Sequence, residues 1–329
     1  MSNSLCSTLW KGFHKVIEAR AALQKLLEST DQDGLSADVV ASVLKSAINQ
    51  NSDYETLLIN SVTLPDGRPI YATDYLALCK LATDNALESK EVLGRLQHYS
   101  LNSEGRVEDI NLGGLGLVNI SALKNLTALT SIYIPQNKIV DISPIQNLTN
   151  VTRLFLYDNK IVDISPIQNL TAAISLYLDN NQIVDISPIQ NLTGLIRATF
   201  KHNQIVDINP IQNLTALTIL HLEGNQIVDI SPVKNLTALT SLGLEGNQIE
   251  EIASIKGLTA LNWLNLSSNK IVDISPVRGL IKLTTLYLHN NKIEDLSPIL
   301  DLNPQTKVAC EDNPLSEASQ AILAARSKK

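Results

Sequence analysis

Nothing constrains this chain more than an asparagine that returns every 22 residues, at Asn137, Asn159, Asn181, Asn203, Asn225, Asn247, Asn269, Asn291 and Asn313. Each closes a segment of the form LxxLxLxxN, and most are followed by a near-copy of IVDISPIQNLT. Self-similarity at a short fixed period means one supersecondary unit stacked many times, each burying its apolar face against its neighbours. Function must then act through a long, regular surface rather than a cleft in a globular core.

The frame residues follow from elementary geometry. Alternation in LxLxx turns one leucine set inward and sends the intervening residues to the opposite face of a short parallel strand. The recurring asparagine follows the strand, and its amide both donates and accepts, which suits a buried ladder along the coils. The Ser-Pro pairs at Ser143, Ser165, Ser187, Ser231, Ser275 and Ser297 open a tight turn, with the hydroxyl expected to cap it. Asp141, Asp163, Asp185, Asp207, Asp229, Glu251, Asp273 and Asp295 recur with the frame. Their neighbours are apolar rather than further ligands, so they read as solvated or turn-capping groups and not as a metal column.

Composition agrees with stacked small units. The 329 residues are 44% hydrophobic but only 4% aromatic, so aliphatic side chains fill the interior. A net charge of −7 speaks against a broad nucleic-acid footprint. Cys6, Cys79 and Cys310 are odd in number and far apart, which gives neither a disulfide framework nor a CxxC pair. Cys310 stands where other repeats carry Leu or Ile, so it is expected to be buried. There is no secretory h-region and no membrane span in the sequence. The NLT tripeptides at Asn125, Asn147, Asn169, Asn191, Asn213 and Asn235 are glycosylation acceptors whose Leu and Thr are assigned to the packing frame. On that assignment glycans would disrupt the repeat and the chain is placed in the cytoplasm, with secretion lacking a classical signal peptide as the alternative.

Three segments are expected. Residues 1–100 carry no repeat and read as a helical domain or extended cap. An amphipathic helix fills the first 25 or so residues, a second is capped by Ser36, a small hairpin surrounds Asp66-Gly67, and short helices follow near 73–83 and 87–98. Residues 101–313 form the solenoid: a degenerate repeat with Leu115 in place of Asn, then nine regular strands, about ten in all. Residues 314–329 form a helical cap, with Ser316 at its N-terminus and Ala321, Ile322 and Leu323 covering the last coil, and a basic tail.

The consensus LxxLxLxxNxIxDIxPIxN resembles the leucine-rich repeat, in the short 22-residue subclass of internalins and phosphatase regulators. The resemblance spans roughly residues 105–325, and NPLSEAS is similar to the C-terminal cap of bacterial members. It implies an α/β horseshoe with a parallel sheet on its concave face, a bacterial source, and a concave face that binds another protein.

Specificity should reside in strand positions that vary between repeats: the third, fifth, seventh and eighth of LxxLxLxxN. Strands about 4.8 Å apart make equivalent residues lateral neighbours. Tyr133, Phe155 and Tyr177 therefore form an exposed aromatic row, with Tyr157 beside it and Arg153 and Arg197 flanking. Aromatics with arginine are the composition of a protein-binding hot spot, while tyrosines paving a sheet by mutual stacking is the plainer reading. A second patch starts at Lys201, His202 and His221 and turns acidic at Glu223 and Glu245, and Trp263, Tyr287 and His289 form a third. The histidines are too dispersed for a metal site.

Catalytic motifs are missing: there is no GxSxG, HExxH or phosphate loop. STDQDGLSADVV resembles a calcium loop only superficially, since its twelfth position is Val40 where an acidic residue is needed. The expectation is a monomeric, non-enzymatic scaffold that binds a protein, without cofactor, nucleic acid or membrane span. Alternatives are a regulatory subunit of an enzyme such as a protein phosphatase and a bacterial effector acting on a host protein.

Overall fold

The computed structural model describes residues 62–63, 69–93, 95 and 101–326. The two helices expected before residue 50, the calcium-loop look-alike and Cys6 lie outside the described residues.

Ten strands of three residues form one parallel sheet in chain order. They are β3 (Asp109–Asn111), β4 (Ser131–Tyr133), β5 (Arg153–Phe155), β6 (Ser175–Tyr177), β7 (Arg197–Thr199), β8 (Ile219–His221), β9 (Ser241–Gly243), β10 (Trp263–Asn265), β11 (Thr285–Tyr287) and β12 (Lys307–Ala309). Register is uniform, each residue lying opposite the one 22 positions on, as in Tyr133, Phe155 and Tyr177. The degenerate first repeat supplies β3, which gives the sheet its expected ten strands. The molecule is a leucine-rich repeat horseshoe, with short 3₁₀ turns such as Ser143–Ile145 opposite the sheet.

Leucines and isoleucines of the frame are buried along one continuous core. In β7 the frame changes in a compensated way. Ala198 and Phe200 take two inward positions held in most other coils by Leu or Ile, and both are fully buried, a small side chain making room for a large one. Phe200 is thus interior and belongs to no surface patch.

The asparagine ladder is continuous. Asn137 Nδ2 donates to the carbonyls of Leu112 and Ile134, both at 3.0 Å, and its Oδ1 accepts from the Leu117 amide at 2.9 Å. On the opposite side, the aspartate column caps the turns. Asp141 Oδ1 accepts from the Ser143 amide at 2.7 Å and Oδ2 from the Ser143 hydroxyl at 3.0 Å. The serine hydroxyl is therefore a donor to aspartate rather than the cap itself, because the carboxylate is the stronger acceptor. These hydrogen bonds hold the Asp229 and Asp295 carboxyls below their ordinary range.

One sequence argument fails here. In every NLT tripeptide the leucine is buried, but Asn125, Asn147, Asn169, Asn191, Asn213 and Asn235 and the threonines two residues on are exposed. Only one residue of three belongs to the frame, so the acceptors are accessible and the glycosylation argument for a cytoplasmic setting loses its premise.

The ends are closed. Val62–Thr63 (β1) and Pro69–Ile70 (β2) pair antiparallel, followed by α1 (Ala72–Asp84) and a short α2 (Ser89–Leu93), while the turn expected at Asp66-Gly67 lies outside the described residues. Leu76, Leu78, Leu81 and Val92 join the solenoid's core. Asp74, fully buried, ties α1 to the first coil through Arg106 Nη2 at 3.0 Å and the Val107 amide at 2.8 Å. At the other end α3 (Glu317–Arg326) starts at Ser316, whose hydroxyl accepts from the Ser319 amide at 3.3 Å. Ile322 and Leu323 pack on the last coil as expected, whereas Ala321 is exposed. Arg326 Nη1 and Nη2 donate to the carbonyls of Ile299 and Thr306. Cys310 is buried, and burial pushes its thiol up to about 11.

Candidate functional site

Odd strand positions project onto the concave face, and there the varying columns meet. Tyr133, Phe155 and Tyr177 form the expected row: ring centroids lie 5.2 Å apart for Tyr133 and Phe155 and 4.6 Å for Phe155 and Tyr177, the latter pair stacked. Tyr157 joins edge-on to Tyr133 at 6.1 Å, and the two hydroxyls share a 2.6 Å hydrogen bond. Burial and that bond push the Tyr157 hydroxyl up to about 12. All four rings are half-buried, each partly shielding the next.

Both flanking arginines are exposed, and Arg153 reaches back across β4 to Asp109 of the first coil at 3.5 Å. Asp109 lies at the start of the sheet, in the degenerate repeat, so its part in the site was not legible from the regular columns.

Next comes a charged strip in the seventh column. Asp179 Oδ2 accepts from Thr199 Oγ1 and Oδ1 from the Lys201 amide, both at 2.7 Å. Burial nevertheless outweighs these bonds and raises the Asp179 carboxyl above its ordinary value. Lys201 Nζ lies 3.3 Å from Glu223 Oε1, and Asn265 Nδ2 donates to Glu245 Oε2 at 2.7 Å. Glu223 is only 7% exposed, and its Oε2 is a buried oxygen with no hydrogen-bond partner.

His221 lies near Lys201 and also reaches the third group. Its ring packs against Trp263 at 5.3 Å, and Trp263 meets Tyr287 edge-on at 6.0 Å. The strand between them presents Ser241 and Gly243, too small to separate the rings. Burial, with Lys201 nearby, lowers the His221 imidazole to about 4, so this second aromatic group is uncharged at neutral pH. His221 Nε2 is 2.9 Å from Ser241 Oγ, and His289 Nδ1 is 2.8 Å from Ser267 Oγ. Among the described residues no cluster of His, Cys, Asp or Glu is arranged to hold a metal.

The eighth column is not free to carry specificity. Gln136, Asp158, Asn180, His202, Ser268, Asn290 and Asp312 all adopt positive φ between 51° and 56°, and Gly224 and Gly246 occupy the same place. A left-handed turn is imposed before each ladder asparagine, which restricts side-chain choice for a backbone reason.

Away from the sheet, Val140, Val162, Val184, Val206 and Val228 form a half-exposed ribbon. The column is Val in most coils and changes only to Glu250 and Glu294 toward the C-terminus. The concave face is where residues differ.

Comparison with known proteins places this geometry. Two models of leucine-rich repeats match, over residues 259–301 and 215–271. No curated protein matches by sequence. Among solved structures, the chain is similar to the internalin InlF of Listeria monocytogenes, with 30% identity, TM-score 0.58, and 76% of this chain and 88% of that one covered. It is also similar in fold to the ectodomain of the Arabidopsis thaliana receptor kinase GASSHO1/SCHENGEN3, solved in complex with Casparian strip integrity factor 2 (18% identity, TM-score 0.58, 74% and 36% covered). A third is the plant peptide hormone receptor RGFR1 in complex with RGF2 (22% identity, TM-score 0.56, 65% and 36% covered).

Proposed function

Because the chain belongs to the internalin-type leucine-rich repeats, we propose that it is a non-enzymatic scaffold that binds a protein partner across the concave face of its sheet. The observation that carries this reading is the tetrad of Tyr133, Phe155, Tyr157 and Tyr177. Four half-buried rings converge at the variable positions of a sheet whose other positions are committed to packing. Rigid rings that remain partly exposed bury large area at low entropic cost, and flanking arginines add directional donors. Lys201, Glu223 and Glu245 and the trio of His221, Trp263 and Tyr287 extend the anchor along the same face. Support also comes from two fold relatives solved in complexes, the peptide hormone receptor RGFR1 with RGF2 and the GASSHO1/SCHENGEN3 ectodomain with Casparian strip integrity factor 2. Among the described residues no helix is long and apolar enough to cross a membrane.

The test compares capture from a lysate of the source cells by the full chain, by Phe155→Ala/Tyr177→Ala, and by Val184→Lys/Val206→Lys on the opposite flank. Loss of two anchor rings should reduce capture by roughly 10-fold or more. The flank variant should capture as the parent does. Equal capture by all three would remove the aromatic tetrad from the binding face.

A further inference from the structure

The charged strip follows a diagonal rule with one exception. A seventh-column carboxylate reaches the fifth-column residue 20 positions later: Asp179 takes a hydrogen bond from Thr199, and Glu245 takes one from Asn265. For Glu223 the corresponding residue is Gly243, which has no side chain to donate. The carboxylate lies over that glycine, where a Cβ would collide with it, and Oε2 is left buried and unpartnered while Oε1 faces Lys201. Two of three acids on this strip are thus satisfied from within the protein, and the middle one is not.

The surroundings select the missing donor. Asp179, Glu223 and Glu245 bring three carboxylates against the single ammonium of Lys201, leaving the strip acidic. Gly243 also presents no side chain between His221 and Trp263, whose rings lie 5.3 Å apart across its strand, so the two rings flank the strand position over which the Glu223 carboxylate lies. A planar cation with several N–H donors matches a carboxylate and stacks on an aromatic face, as a compact, strongly hydrated ammonium does less well.

We propose that the notch at Glu223 and Gly243, beside His221 and Trp263, receives an arginine side chain of the bound partner. The Glu223 carboxylate turns outward from the glycine to meet the guanidinium, exchanging an unsatisfied burial for a charge-assisted pair. This assignment rests on the concave-face reading and adds to it the chemistry of one partner residue: the aromatic tetrad anchors, and the notch selects.

The test does not need the partner. The full chain is titrated with N-acetyl-argininamide, with the neutral isostere N-acetyl-citrullinamide as control, and the indole N–H resonance of Trp263 is followed by NMR. A lone side chain without the rest of the partner should bind weakly, with Kd on the order of millimolar. Glu223→Gln should weaken it at least ~5-fold, the ratio expected on losing a charge-assisted partner. Gly243→Asn, which supplies the donor that Asn265 gives Glu245, should weaken it similarly by satisfying the carboxylate from within. Thermal unfolding of both variants establishes that they fold. Equal binding of the citrulline compound, or unchanged arginine binding in both variants, overturns the assignment. If arginine fails to bind while Phe155→Ala/Tyr177→Ala still loses capture, the notch falls and the concave-face reading stands. If arginine binds as described while capture is unaffected, the notch stands and the tetrad falls.

Discussion

Replacing Asn203 by alanine tests the buried ladder where it is deepest. Asn203 is 7% exposed, its Oδ1 accepts from the Ile183 amide at 3.0 Å, and its Nδ2 donates to the carbonyls of Leu178, Phe200 and Lys201 at 3.0, 3.1 and 3.2 Å. The acceptors survive the change. Leu178 O keeps Asn181, Phe200 O keeps Asn225, and Lys201 O keeps the Asn180 amide. The stranded group is the Ile183 N–H, which is buried and costs about 1–3 kcal/mol to leave unsatisfied; with about 1 kcal/mol for the lost net bonding, the total is about 2–4 kcal/mol. Asn313 makes the same set of bonds, to Ile293 N, Leu288 O, Cys310 O and Glu311 O, but sits half-exposed at the last coil. Water replaces it there, so Asn313→Ala should cost only about 1 kcal/mol. Urea unfolding followed by circular dichroism measures both, and hydrogen exchange at Ile183 reports the local loss. An Asn203→Ala cost below about 0.5 kcal/mol, or one equal to that of Asn313→Ala, refutes the burial argument. So does an Ile183 amide that stays protected.

Asn290→Val puts a β-branched residue at φ 54° and should destabilise by about 1–2 kcal/mol, while Asn290→Gly should be neutral or stabilising; equal unfolding midpoints for the two would show that the eighth column is unconstrained. Asp74→Ala leaves Arg106 and the Val107 amide without their buried acceptor and should cost about 3–5 kcal/mol. Its signature is faster hydrogen exchange across α1, and unchanged exchange there would mean the ion pair does not hold the N-terminal cap. His221, lowered to about 4, should titrate by NMR near that value; because the unfolded chain takes up this proton near pH 6.5, the folded state loses stability as pH falls from there through 4. His221→Asn should flatten that acid limb, and a midpoint near 6.5 in the native protein would contradict the packing against Trp263.

Much of the architecture was legible beforehand because the repeat leaves little choice. A 22-residue period with leucines at alternating positions admits one register, so the ten strands, the burial of Cys310 and the lateral contacts of Tyr133, Phe155 and Tyr177 could all be read from the chain. The departures have specific causes. His221 gained a contact with Trp263 that its column did not suggest, because Gly243 between them is small. Thr127 and its counterparts are exposed because the turn after the 3₁₀ segment lifts them off the core. Arg153 turned to Asp109, which the irregular first repeat concealed. A spacing of 20 rather than 22 would have revealed the diagonal contacts of Asp179 and Glu245.

The sequence by itself determined the period, and with it the fold, the buried ladder and the columns that vary, because burial of a repeated apolar set permits a single register along the sheet. Only the tertiary structure decided what those columns do with one another. On an open face a side chain is directed by its diagonal neighbours and by what is missing between them. The glycine that joins His221 to Trp263 and leaves Glu223 unsatisfied acts through space it does not fill, and that becomes visible only once the strands lie side by side.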